Sequence, residues 1–257
     1  MRISCVIPCL NERHELPALL RLLQGAPTPP GVSVEVVVVD GGSSDGSAAI
    51  AEARTGVRLV RCRALRAAQL NAGAAAARGE VLYFVHADTR PPRTCFGDIA
   101  AAVAGGHVLG GYPFRFDSPS RVLRFNAWAT RFNVLATRGG DQGIFVTRAT
   151  YERVGGFRES MSVMEEYTFL RALHRVGVRY HLFPSGRTLV SARKYEGRSW
   201  VRVQAANVCA MAMWRVGRPA DEIRRAYACL LSWPGGQPTD PREVVGRTYG
   251  RTKGRHA

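Results

Sequence analysis

Short apolar runs alternate with helical stretches through the first half of the chain. Positions 3–7 form an apolar run that ends at Pro8, and 34–39 form a near-continuous β-branched run. Such near-continuous runs suit strands covered on both faces. Between them Leu16, Leu19, Leu20 and Leu23 recur at helical spacing before Gly25, which predicts a helix over 15–24. After the loop at Pro27, Pro29 and Pro30 come a helix from about Asp45, a strand near 57–60, an alanine-rich helix over about 66–78 and a strand over 81–85. Strands separated by helices of this length predict parallel βαβ units, and so an α/β fold with a mostly parallel sheet.

The second half is less regular. It predicts a strand over 112–116, a helix over 121–136, a glycine-rich loop over 139–143 and a strand over 144–146. A short helix then leads to Gly155-Gly156-Phe157, followed by helices over 163–176, 200–216 and 219–230. Beyond Pro234 the chain is rich in Gly, Pro and Arg and reads as a flexible basic tail.

In open α/β sheets, ligands bind at the carboxyl ends of the strands. Three polar clusters fall there: Asn11-Glu12, Asp40-Gly41-Gly42-Ser43 and His86-Ala87-Asp88. Asp40 can accept hydrogen bonds from a base or a sugar, or serve only as a turn residue. Gly42 lets backbone approach a ligand closely. Asp88 is a hard oxygen donor of the kind that Mg²⁺ or Mn²⁺ takes alongside substrate phosphates. His86 can be a metal ligand or bond the nucleotide.

Ser162-Val163-Met164-Glu165 fits a capping box, which gives Glu165 a structural task. Glu166 falls instead within the apolar stripe of Phe169, Leu170, Leu173 and Val176. A carboxylate pointing inward is costly unless paired with an arginine or used as a general base. Arg66, Gln69 and Asn71, at the start of the alanine-rich helix, could meet phosphates. Asp141 and Gln142 could bond sugar hydroxyls. Arg193 and Lys194 could neutralise a diphosphate or form a solvated basic face.

The net charge is +16, and 34 of the 36 basic residues are arginine, since Lys194 and Lys253 are the only lysines. They are spread along the chain beside abundant Ala and Gly, without a nucleic-acid motif, so a nucleic-acid partner is not expected. Attraction to anionic substrates or a membrane surface fits the charge better. The six cysteines are scattered without a CxxC pair and read as buried thiols. No run approaches the ~20 apolar residues of a membrane span. With the first strand starting near Ile3, a cytoplasmic enzyme is expected, with peripheral contact at the inner membrane face as an option.

Taken together, Val6-Ile7-Pro8-Cys9-Leu10-Asn11-Glu12, the run from Val38 to Gly46 and Val85-His86-Ala87-Asp88 resemble the family 2 glycosyltransferases. The resemblance covers residues 3 to about 230 and implies a GT-A fold, Rossmann-like with C-terminal helices, that transfers sugar from a nucleotide-sugar with inversion. It implies one domain over 1–230, with a nucleotide-binding half over about 1–116 and an acceptor half over about 117–230. The string 139–145, Met164-Glu165-Glu166-Tyr167 and Ser191-Ala192-Arg193-Lys194-Tyr195 resemble a bacterial branch associated with arsenosugar biosynthesis.

By that resemblance Pro8, Asn11, Glu12 and Asp40 line the nucleoside site, with Gly42, Arg66, Gln69, Asn71, His86 and Ala87 around the donor. Asp88 becomes the metal-binding aspartate of a DxD-type motif, and Glu166 takes the place of the catalytic base. The loop holding Asp141 and Gln142 faces the donor sugar or the acceptor, a small molecule or a lipid-linked one. Three residues depart from the family pattern: Gly41 for a second aspartate, His86 for the first DxD carboxylate, and Glu166 for aspartate. A sugar nucleotidyltransferase and a non-enzymatic basic binding protein remain alternative readings.

Overall fold

The computed structural model describes residues 1–132, 138, 142–195 and 197–232. The first half follows the predicted alternation: β1 (Arg2–Cys9), α1 (Leu16–Gln24), β2 (Ser33–Asp40), α2 (Ser47–Glu52), β3 (Val57–Arg61), α3 (Arg66–Ala76) and β4 (Val81–Phe84). β1 runs parallel to both β2 and β4, and β2 parallel to β3. The register pairs Cys9 with Asp40 and Val6 with Phe84. The segments that follow these three strands therefore leave the sheet along one edge.

Next come β5 (Thr89–Arg90), α4 (Cys95–Ala104), β6 (Leu109–Gly111), β7 (Phe114–Phe116), α5 (Arg121–Trp128), β8 (Ile144–Thr147), α6 (Arg148–Arg153), α7 (Glu165–Arg175), β9 (His181–Leu182), β10 (Thr188–Val190), α8 (Trp200–Arg215) and α9 (Ala220–Ser232). The main sheet has the order β3-β2-β1-β4-β8-β6-β9, and β8 alone opposes its neighbours. A second sheet of order β5-β10-β7 stands beside it.

Alternate residues of the buried runs serve opposite faces of the sheet. Cys5, Ile7, Val36, Val38 and Tyr83 pack with Leu16, Leu19, Leu20 and Leu23 of α1 and Phe96 and Ile99 of α4. Val6, Val37, Val39, Leu82 and Phe84 pack with Leu70 of α3 and Phe169, Leu170 and Leu173 of α7. Each fully buried leucine contributes ~1.5–3 kcal/mol. α3 lies so close to the sheet that a side chain at Gly73 would run into Val6 and Val39, which accounts for its small residues.

The expected helix over 121–136 stops at Trp128, with a 3₁₀ turn over Ala129–Arg131. The capping box at Ser162 does not form. Met164 takes a left-handed φ of 62°, α7 starts at Glu165, and the Ser162 hydroxyl meets Asp221 at 3.4 Å. Glu165 is instead buried. Of the six cysteines only Cys5, Cys9 and Cys95 are buried, and Cys229 is exposed. Burial pushes the Cys9 and Cys95 thiols up to about 12, so neither is a nucleophile near neutral pH.

Candidate active site

The loop after β1 is laced to the loop after β2. Asn11, at a φ of 56°, accepts from the Ser44 amide at 2.8 Å and donates its own amide to Ser43 Oγ at 2.9 Å. The Glu12 amide donates to Ser47 Oγ at 2.8 Å. Asp40 is buried and accepts from the amides of Gly42 and Ser43 at 3.0 and 3.1 Å. Its carboxylate thus shapes the Gly41–Ser43 turn, with Gly42 at a φ of 89°. Pro8 lies within β1, next to the Cys9–Asp40 pair.

Arg193 is brought in from the far end of the chain by the 3₁₀ turn Arg193–Tyr195. Its Nη2 donates to Glu12 at 3.1 and 3.2 Å and to Asp88 Oδ2 at 3.0 Å. Burial weakens the guanidinium's hold on its proton, but Glu12 and Asp88 more than offset it, so the charge is fixed. Burial also pushes the Glu12 carboxyl up to about 8, against the pull of Arg193 and with the help of Asp88. Arg193 Nε is buried and donates to nothing among the described residues. An unspent N–H in such a place is costly unless a ligand takes it.

The turn after β4 carries the second feature. His86 and Ala87 are buried, and His86 Nε2 lies 2.8 Å from Glu166 Oε1 in the first turn of α7. Glu166 does point inward, but its partner here is a histidine. Glu165 meets Arg66 at 3.3 Å; burial and the neighbouring Glu166 raise its carboxyl above the usual range, and Arg66 opposes them.

Two residues expected at the phosphates are engaged elsewhere. Gln69 is buried and donates Nε2 to the carbonyls of Cys9 and Val39, both at 2.9 Å, bracing the ends of β1 and β2 from below. Asn71 is tied to both backbone groups of Phe157, at 2.8 and 2.9 Å, and to the Tyr151 hydroxyl at 2.7 Å. Their amide groups act in packing, because α3 turns them toward backbone that needs partners. Gln142 is buried and accepts from Arg138 at 3.1 Å. Asp141 lies outside the described residues.

Sequence reasoning missed Arg138, which is buried and also donates to the carbonyls of Thr130 and Phe132. In an arginine-rich chain nothing marks one arginine as internal. Arg193 was suggested for a diphosphate, but its grip on Glu12 and Asp88 has no local sequence signal.

Among the described residues no three of His, Cys, Asp and Glu gather into an ion cage. The chemistry of the donors nonetheless fits a hard divalent cation. A positive charge, that of Arg193, already sits between two carboxylates. One aspartate suffices where diphosphate and water supply the other ligands.

The chain matches the glycosyl transferase family 2 over residues 4–158 and belongs to that family. It is similar to the undecaprenyl-phosphate 4-deoxy-4-formamido-L-arabinose transferases of Aeromonas hydrophila and Pseudomonas aeruginosa, 34% identical to each over 116 residues. The aligned part is 42% of this chain but 36% and 34% of those proteins, so it spans about a third of their length.

The fold is that of the GT-A glycosyltransferases. The mannosyltransferase PcManGT from Pyrobaculum calidifontis, in complex with GDP-Man and Mn²⁺, superposes with a TM-score of 0.64 at 21% identity, covering 89% of this chain and 69% of that one. S. aureus TarS 1–349 in complex with UDP-GlcNAc gives 0.61 at 16% identity, covering 90% and 72%. Glucosyl-3-phosphoglycerate synthase from Mycobacterium tuberculosis, with Mn²⁺ and UDP, gives 0.57 at 18%, covering 84% and 80%.

Proposed function

We propose that this chain transfers a glycosyl group from a nucleoside-diphosphate sugar to an acceptor hydroxyl, with inversion. The observation that carries the reading is the meeting of two features in one turn. Asp88 shares Arg193 with Glu12, and two residues earlier His86 holds Glu166.

The nucleoside would rest on the shelf of Pro8, Asn11, Glu12, Asp40 and Gly42, with the diphosphate toward Asp88. Arg193 would turn its unspent Nε–H and fixed charge to the phosphates. Asp88 would also hold Mg²⁺ or Mn²⁺, which when bound neutralises charge on the departing diphosphate. Glu166 takes the proton of the acceptor hydroxyl while its oxygen attacks the anomeric carbon from the opposite face. The anomeric carbon–oxygen bond breaks, and the nucleoside diphosphate leaves with the electron pair. His86 fixes one oxygen of that carboxylate. On this reading 1–230 is one domain, with the donor on 1–116 and the acceptor side on 117–230.

The names of the bacterial relatives contain undecaprenyl phosphate and favour a lipid-linked acceptor over a small molecule. A phosphate acceptor is already ionised and needs no base, so the inward-facing Glu166 favours a hydroxyl on that acceptor. Product analysis with a panel of UDP- and GDP-sugars tests the reading. Free nucleoside diphosphate is the expected product. Pyrophosphate released in a parallel assay supplied with a nucleoside triphosphate and a sugar 1-phosphate would replace glycosyl transfer by nucleotidyl transfer.

A further inference from the structure

We infer that the exposed face of α5 docks on an anionic lipid bilayer and so brings a lipid-linked acceptor to the site. The acceptor half of this inference rests on the transferase reading above; the docking half stands on the surface alone.

Among the described residues the exposed large aromatics all fall in one short segment. Phe125 is 68% exposed, Phe132 50% and Trp128 47%, and Val122 on the same arc of helix is exposed as well. Phe125 and Trp128 stack at 6.0 Å, and Phe132 meets Trp128 edge-on at 4.8 Å, so the three rings form one continuous apolar surface. The opposite side of the segment, Leu123, Ala127 and Thr130, is buried and anchors it. The other exposed large apolar residues, Val176, Val201, Val208 and Val216, are valines on other elements.

Charge on the face decides among occupants. Between positions 115 and 132 the chain carries Arg115, Arg121, Arg124 and Arg131 against Asp117 alone. Arg187 feels Arg131 and Arg115 as like charges, which places the three close together. Among the described residues none of these five arginines forms an ion pair. Pairing two copies through this face would bring both arginine sets together. Aromatic rings interleaved with arginines instead fit the boundary of an anionic membrane, with rings at the acyl edge and guanidinium groups among the headgroups. No helix among the described residues is long and apolar enough to cross a membrane.

The face also connects to the site. Asn126, next to Phe125, donates to the Tyr195 hydroxyl at 3.2 Å, and the Phe116 ring packs on Tyr195 at 5.3 Å. Tyr195 closes the turn that carries Arg193 to Asp88.

The test is sedimentation of the full chain with vesicles of phosphatidylcholine, with and without phosphatidylglycerol. Wild type, Phe125→Ser/Trp128→Ser and Arg121→Gln/Arg124→Gln are compared, and melting of each protein with nucleoside diphosphates is recorded in parallel. Any attraction of the basic tail is common to all three, so the differences report the face. Wild type should bind the phosphatidylglycerol vesicles, and the aromatic pair should bind at least tenfold more weakly, with its nucleotide stabilisation intact. The arginine pair should lose the preference for phosphatidylglycerol. Equal binding by wild type and the aromatic pair, or no binding at all, would overturn the inference. So would use of the face for a single-stranded oligonucleotide or a second copy in place of lipid. Absent nucleotide stabilisation with vesicle binding intact would count against the transferase reading alone.

Discussion

His86 Nε2 and Glu166 Oε1 meet at 2.8 Å, joining the turn after β4 to the first turn of α7 across 80 residues of sequence. Where the family pattern has a carboxylate for metal, this chain has a histidine, and that histidine is aimed at the candidate base. Glu166→Gln should lower kcat by about 10²–10⁴-fold, as removal of a general base does, with nucleotide stabilisation unchanged. His86→Asn should lower kcat less, with KM for the donor unchanged, since His86 positions Glu166. Steady-state kinetics across pH checks both. Unchanged turnover in Glu166→Gln would remove it from the mechanism.

Arg193 neutralises Asp88 and donates to the Glu12 carboxyl in the nucleotide-free protein, so a divalent cation held by Asp88 would compete with it. Arg193→Gln should destabilise the protein by about 3 kcal/mol in EDTA, as leaving the largely buried Asp88 carboxylate uncompensated does. Mn²⁺ should then raise the melting temperature of the variant more than that of wild type. Equal responses to Mn²⁺ would show that no cation shares Arg193's place.

The placement of the candidate site was legible because β1, β2 and β4 are largely apolar runs, and the polar residues that end them sit at one edge of a parallel sheet. Glu166 was legible from the stripe formed with Phe169, Leu170 and Leu173. β6 was not: it is Leu109-Gly110-Gly111, without β-branched residues, because a side chain at Gly110 would run into the His181 backbone and the Phe145 ring. α4 was missed as well; between Cys95 and Ala104 small residues dilute the helical pattern. Gln69 and Asn71 misled because amides near a helix start look alike whether they face a phosphate or a neighbouring backbone. Arg193 was singled out for a diphosphate, but nothing in its local sequence pointed to Glu12 and Asp88 as its partners.

Glu12 makes stability depend on pH in a defined direction. Its carboxyl rises from 4.5 to about 8 in the folded protein, chiefly through burial. Between those values the folded chain holds a proton that the unfolded chain has released, so stability falls as pH rises through the window. The slope is at most about 1.4 kcal/mol per pH unit. Urea denaturation in EDTA at pH 5, 6.5 and 8 should show Glu12→Gln gaining on wild type at each step. Parallel profiles would mean Glu12 is ionised throughout.

Asn71 should behave as a structural staple. Asn71→Ala leaves the Phe157 backbone groups and the Tyr151 hydroxyl without their partner. Unsatisfied groups of this kind cost about 1–3 kcal/mol each, so chemical denaturation should show a loss of at least about 3 kcal/mol with nucleotide affinity kept. Lost nucleotide affinity at full stability would return Asn71 to the phosphates.

The most direct test is thermal melting of wild type and Asp88→Ala with UDP, GDP, ADP, CMP and their sugar derivatives, in Mn²⁺, Mg²⁺ or EDTA. A ligand at 100 times its Kd stabilises the native state by about 2.7 kcal/mol. A selective rise with one nucleoside diphosphate and its sugars, whose cation-dependent part is lost in Asp88→Ala, is the predicted result. A folded wild-type protein that no nucleotide stabilises under any of these conditions would contradict a donor site at these strand ends.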